Sequence, residues 1–150
     1  MKDHVDGKPE AIVERFYYQG WNKGDHQVLT DILDPNVRFR GSFRRKPIRG
    51  VQGFLQYMET AQKAVGGNRI EILQIVQDSS KGTVALKLLN HGVHKGSFFG
   101  VPGSGHEISW HSAAFFTLSR DGSRIVDIWV LGDVDGRKNQ IGANSDAEGF

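Results

Sequence analysis

The feature that most constrains this chain is a change of hydrophobic period partway along it. In the first part, apolar residues return every three or four positions. One stripe is Ile12, Val13, Phe16, Tyr17, Gly20 and Trp21. The next is Val28, Leu29, Ile32 and Leu33, and the third is Val51, Phe54, Leu55, Met58, Ala61 and Val65. This is the period of one helix face. After that, β-branched and aromatic residues gather in runs at 70–77, 83–90, 106–118 and 124–131, each bounded by turn residues. Helices first and strands afterwards predict an α+β domain, with three N-terminal helices on one face of an antiparallel sheet.

Local signals place the boundaries. Pro9 suits the first turn of a helix, where its missing N–H costs nothing. Gly24 suits a helix stop and Asp25 the N-cap of the next helix. Asp34-Pro35-Asn36 ends that second helix, and Val37 to Ser42 reads as a short strand. Gly66-Gly67 is expected to close the third helix. Lys81-Gly82 and Asp121-Gly122 are expected to turn the chain between strands. Residues 92–99 extend the sheet, and Val101-Pro102-Gly103-Ser104-Gly105 reads as a loop. The run 106–118 exceeds the common strand length of about 5–6 residues, so it must bend around a core. A strongly curved sheet closed by helices leaves a cone with a concave, mostly apolar interior, the shape of a small-molecule site.

A length of 150 residues fits a single domain spanning 1–150, with flexible tails at about 1–7 and 143–150. Cysteine is absent, which removes disulfides, thiolate nucleophiles and Cys-based metal sites. No stretch approaches the ~18 apolar residues of a membrane span, and Met1 to Asp6 lacks an apolar signal core. The expectation is a soluble, cytoplasmic protein. A net charge of +2 makes no general case for nucleic acid. The local cluster Arg38, Arg40, Arg44, Arg45, Lys46 and Arg49 reads as a solvated strand and loop, without an aromatic ladder for bases. His91, His94, His106 and His111 lack compact ligand spacing, so no metal is expected.

The ordered motifs resemble one family. Val13 to Phe16 followed by Trp21-Asn22-Lys23-Gly24-Asp25 and Leu29 is similar to the opening of SnoaL-like proteins. Gly92-Val93-His94-Lys95-Gly96-Ser97-Phe98-Phe99-Gly100-Val101-Pro102 stands in place of that family's G-x-H-x-G-x-F-x-G segment. Asp121-Gly122, Ile125, Trp129, Asp133, Gly136 and Gln140-Ile141-Gly142 resemble its ending. The likeness runs from about residue 10 to 142 and implies the cone of the nuclear-transport-factor-2-like fold. It also implies a hydrophobic small-molecule ligand or substrate, a homodimer, and ring closure by an intramolecular aldol step without metal or cofactor. In that chemistry an Asp on the last strand acts as acid–base, and a His on the preceding strand assists.

At the matching positions this chain has Val130 and Phe115, neither of which can carry a proton. If 115 and 130 face the pocket, the strand period of two puts His111 there as well, near Asp133 across the Asp121-Gly122 hairpin. His111 and Asp133 are therefore the candidate catalytic pair, with a structural hydrogen bond as the alternative role. Tyr17, Trp21, Phe39, His94, Phe115 and Val130 are the expected pocket-lining residues. Arg38 and Arg40 alternate with Phe39, so both point outward if Phe39 points inward; in the reverse register one arginine faces the pocket, where it could stabilise an enolate or oxyanion.

The functional readings are three. The first is a cofactor-independent cyclase, isomerase or lyase for a polyketide-like or terpenoid-like molecule. The second is a binding module that holds such a molecule unchanged. The third is an epoxide hydrolase-like activity.

Overall fold

The computed structural model describes residues 8–43 and 46–148. Arg44 and Arg45 of the basic cluster, and the tail at 1–7, lie outside the described residues.

Pro9 opens helix α1 (Pro9–Arg15), which widens without a break into a π-helical segment, Phe16–Trp21. Asp25 caps α2 (His26–Ile32) by accepting from the Val28 N–H at 3.1 Å. Strand β1 (Leu33–Arg40) follows at once, then β2 (Ile48–Arg49) and helix α3 (Val51–Ala64). The rest is a meander of β3 (Val65–Asp78), β4 (Thr83–His94), β5 (Glu107–Leu118) and β6 (Ile125–Gly132), closed by helix α4 (Val134–Ile141).

The strands form one curved, unclosed sheet in the order β2-β1-β6-β5-β4-β3. All neighbours are antiparallel except β1 and β6, which run parallel. Register breaks bend it, between Gly66 and Arg69 and between Ile72 and Gln74 on β3, and between Thr117 and Leu118 on β5. Such irregularities raise local twist. The helices cover the concave face, where Phe16 meets Phe54 at 5.4 Å and Phe116 at 5.2 Å between ring centroids. Each fully buried aromatic or aliphatic side chain of this kind contributes about 1.5–3 kcal/mol.

Several boundaries differ from the sequence reading. Gly66-Gly67 do not stop α3 in a loop; the helix ends one residue earlier and the glycines already belong to β3. Pro35 sits inside β1, in the stretch where pairing to β6 is interrupted, so its missing N–H deprives no ladder partner. The closing segment after Asp133 is a helix, α4. Its apolar residues are too few to show a helical stripe, and the Asp133 cap and Gly142 stop define it instead. Residues beyond it fold back, with Lys138 Nζ donating to the Ser145 carbonyl at 2.7 Å.

The largest correction concerns β5. Its even-numbered residues Ile108, Trp110, Ser112, Ala114, Phe116 and Leu118 are buried, while Glu107, Ser109, His111, Ala113 and Phe115 are exposed. Phe115 is 47 % exposed on the outer face, against Trp129 at 5.8 Å. His111 and Phe115 were expected on the inner face. The register break explains the difference. Leu118 pairs with Ile125, but the next pair is Thr117 with Asp127, leaving Val126 as an extra residue. The hairpin therefore pairs Ser112, not His111, with Gly132. A slip of one residue moves every side chain to the other face.

Candidate functional site

A cavity of about 80 Å³ lies between the helices and the concave face of the sheet. At ~10–15 Å³ for each water-sized sphere, it has room for roughly a handful of waters or one small ring. Phe16, Phe39, Phe54, Phe98, Trp110 and Val130 supply most of its apolar wall. The helical stripe of the sequence reading places Tyr17 and Trp21 there, and the inward register of β1 places Phe39.

Four of the expected lining residues are thus brought together: Tyr17, Trp21, Phe39 and Val130. Phe115 is not, because β5 turns it outward. His94 is fully buried but is bound elsewhere. Its Nε2 meets the Val101 carbonyl at 3.1 Å, so that nitrogen carries the proton. Its Nδ1 accepts from the Ser104 N–H at 3.3 Å and lies 2.9 Å from Ser104 Oγ. His94 clamps the loop between β4 and β5. The glycine-rich segment around it also closes tightly: a β-carbon at Gly103 would overlap the Lys95 carbonyl oxygen. That motif builds scaffold.

His111 and Asp133 do adjoin, but through backbone, where the Asp133 N–H donates to the His111 carbonyl at 3.0 Å. Both residues are exposed. The Asp133 carboxylate caps α4 by accepting from the Gly136 N–H at 2.8 Å. Phe39 points inward, so of the two registers the sequence allowed the structure has the one with Arg38 and Arg40 outward. Arg38 pairs with Asp127 at 2.7 Å, and Arg40 lies over the Trp129 ring at 5.6 Å.

The polar groups of the cavity are mostly ones the sequence reading passed over. Ser112 lies on β5 and Asn90 on β4, and Asn90 Nδ2 donates to Ser112 Oγ at 3.1 Å. That leaves the Ser112 hydroxyl proton to be given elsewhere. Ser42 Oγ accepts from the Gly132 N–H at 2.7 Å. Asn68 is engaged through both ends of its amide, accepting from Trp21 Nε1 at 2.8 Å and donating to the His91 carbonyl at 3.1 Å. Burial, followed by the nearby Tyr57, pushes the Tyr17 phenol far above its ordinary range, so it stays protonated. Arg137, from α4, is 5 % exposed and reaches the cavity between the rings of Phe43 and Trp110. No Asp, Glu, His or Lys lines the cavity among the described residues. No cluster of potential metal ligands occurs among them either.

One sequence signal could have found the inner face of β5. The even positions hold Ile108, Trp110, Phe116 and Leu118, a bulkier apolar set than the odd ones. Arg137 carries no such signal, because its place depends on a helix that the hydrophobic pattern does not announce.

Sheet, helices and cavity define a class: an α+β protein whose curved sheet and covering helices enclose a mostly apolar space. The chain belongs to the SnoaL-like polyketide cyclase family, which it matches over residues 11–141. Among curated proteins, none matches it by sequence.

Solved structures share the fold. A proposed SnoaL-like polyketide cyclase from Jannaschia sp. CCS1 superposes with a TM-score of 0.80 at 17% identity, over 91% of this chain and 92% of that one. IdmH from Streptomyces antibioticus, a proposed polyketide cyclase, gives 0.78 at 22%, over 91% and 99%. AclR from Streptomyces galilaeus, a proposed hydroxylase, gives 0.74 at 19%, over 89% and 95%. At these identities the likeness speaks to the fold alone.

Proposed function

We propose that this protein is a cofactor-independent cyclase or isomerase of a small, hydrophobic, polyketide-like carbonyl compound, acting by confinement rather than by a protein acid–base pair. The observation that carries this reading is the cavity itself: an apolar wall with a few convergent polar groups and, among the described residues, no carboxylate or imidazole. Holding two reacting groups in contact can supply about 7–11 kcal/mol of a ring-closing barrier. An enolised polyketide needs little more. Its nucleophilic carbon bonds to a second carbonyl carbon, the C=O π pair moves to that oxygen, and the enol O–H proton ends on the new hydroxyl. Hydroxyl, phenol and guanidinium donors around the cavity stabilise the oxygen on which charge develops.

A second reading keeps the ligand and drops the turnover. The missing general base favours it equally, since a binding module needs none. Opening an epoxide with water calls for a carboxylate at the water, and the cavity wall offers none. We also propose a homodimer in the cytoplasm. Phe115 and Leu131, 47 % and 50 % exposed on the outer sheet face, support a second copy as the partner. No helix is long and apolar enough to cross a membrane among the described residues.

The test is to incubate the protein with a linear 1,3,5-triketone that can close one six-membered ring, and to follow the cyclic product by chromatography. Ring closure above the protein-free rate, lost in a cavity-filling Val130→Phe variant, supports the cyclase. Binding of the triketone without product supports the binding module.

A further inference from the structure

Arg137 sits where a guanidinium is costly unless something negative joins it. Its Nε donates to the Asp133 carbonyl at 3.3 Å, but its buried Nη2 has no hydrogen-bond partner. The rings of Phe43 and Trp110 stand 4.7 and 4.6 Å from its Cζ. Such faces attract a cation without replacing a hydrogen bond to its N–H edge. Among the described residues no carboxylate comes within ion-pair distance, since the only ion pairs there are Arg38–Asp127 and His91–Glu71. Asp133, whose charge acts on Arg137 from the N-cap of α4 without pairing with it, accepts from the Gly136 N–H. Burial pushes the guanidinium pKa down to about 10, which still leaves it charged at neutral pH. A buried charge left without a partner costs several kcal/mol. Gly132 leaves open the space beside Nη2 that any side chain would fill.

We propose that Arg137 is the specificity-determining contact of this cavity, and that its Nη2 takes a ligand oxygen bearing negative charge, as in a carboxylate or the enolate of a 1,3-dicarbonyl. This rests on the cavity being the ligand site, as proposed above. It narrows the substrate from hydrophobic molecules in general to acidic ones. A poly-β-ketone qualifies, whereas a terpene hydrocarbon or an isolated ketone does not. The two rings fix the guanidinium plane, so the oxygen must approach its edge, where a charge-assisted hydrogen bond is short and strong.

The experiment is calorimetric titration at neutral pH with two matched pairs of single-ring ligands. Benzoate is compared with benzamide, and cyclohexane-1,3-dione, ionised at this pH, with cyclohexanone. The expected result is that each anion binds at least about tenfold more tightly than its neutral match, or about 1.4 kcal/mol. Arg137→Gln is expected to erase that preference while leaving the neutral ligands' affinities in place. Arg137→Lys, which keeps the charge, is expected to restore part of it.

Preference confined to benzoate identifies a carboxylate, and preference confined to the dione identifies an enolate. Either supports the proposal. Equal binding of anions and neutral matches by the unaltered protein, or a preference that survives Arg137→Gln, overturns it and leaves the cavity as the ligand site. Failure of all these ligands to bind overturns both.

Discussion

A β-carbon on residue 132 would stand 2.8 Å from Arg137 Nη2 and 3.2 Å from Ser42 Oγ. Gly132 ends β6 and provides the gap into which the guanidinium fits. Arg137 cannot simply swing away, because two rings hold it, and Ser42 is tied to the Gly132 N–H. Gly132→Ala is therefore expected to lower the unfolding free energy by about 1–3 kcal/mol in urea. It should also weaken benzoate binding more than benzamide binding. Unchanged stability and unchanged discrimination would mean that the clamp yields freely.

Arg137 itself is expected to work against stability. Its pKa falls on folding from the ordinary arginine range to about 10, first through burial, against the opposing influence of Tyr57 and Asp133. The folded state thus holds the proton less tightly than the unfolded one. Stability is withheld while the guanidinium is charged and recovers only as pH rises above about 10. Arg137→Met should accordingly unfold at the same or a higher temperature at pH 7, with a gain of up to about 4 kcal/mol. A marked fall in melting temperature would show that the ring contacts and the Asp133 carbonyl outweigh desolvation.

Asp133 is expected to act as a helix cap. Asp133→Ala should cost about 1 kcal/mol, and Asp133→Asn should restore most of it, since asparagine caps as well. His111→Ala, on the exposed face, should change stability by less than about 0.5 kcal/mol. Both variants should close the triketone ring at rates near that of the parent. A large loss of turnover in His111→Ala with stability intact would return the pair to the chemistry.

The carboxylate of Asp121 accepts from the Ser123 N–H at 3.0 Å and from the Ser123 and Ser119 hydroxyls at 2.8 Å each. These bonds, led by the Ser123 N–H, hold its pKa down to about 2. The contribution of this turn is thus present above the ordinary aspartate value of 3.8 and is lost as pH falls through about 2. Carboxyl-detected NMR titration should find Asp121 ionised well below pH 3.8. Ser123→Ala should raise its titration point.

His94 tests scaffold against site. His94→Leu leaves the Ser104 N–H without its acceptor and the Val101 carbonyl with only the Phe98 N–H, and should cost about 1–3 kcal/mol. Benzoate affinity measured well below the melting temperature should hold, because the ring does not line the cavity.

Much of the architecture was legible in the chain. The switch from a helical to a two-residue period announced helices followed by a meander, and Asp25, Gly82 and Gly122 marked real caps and turns. Helical spacing put Tyr17 and Trp21 on the one face that stripe has to bury, and in the structure that face borders the cavity. Val130 came from the family likeness. These are local or nearest-neighbour facts, and local chemistry writes them into the sequence.

Which face of β5 meets the cavity was decided by tertiary structure. A single unpaired residue, Val126, moved His111 and Phe115 to the outside and Ser112 to the inside. The extra residue shifts the phase of β6, so that Ile125 and Ile128 are both buried, but with Ile125, Val126, Ile128, Trp129 and Val130 all apolar the shift does not show in the sequence. The partners of Arg137 were equally invisible: Phe43, Trp110 and Gly132 come from three separate segments, and only the curved sheet and α4 bring them to one guanidinium. The sequence by itself determined which elements form and which faces are apolar, because backbone preference and hydrophobic period act over a few residues. The tertiary structure alone decided which polar groups meet in the cavity, because that depends on register and on the closure of distant segments.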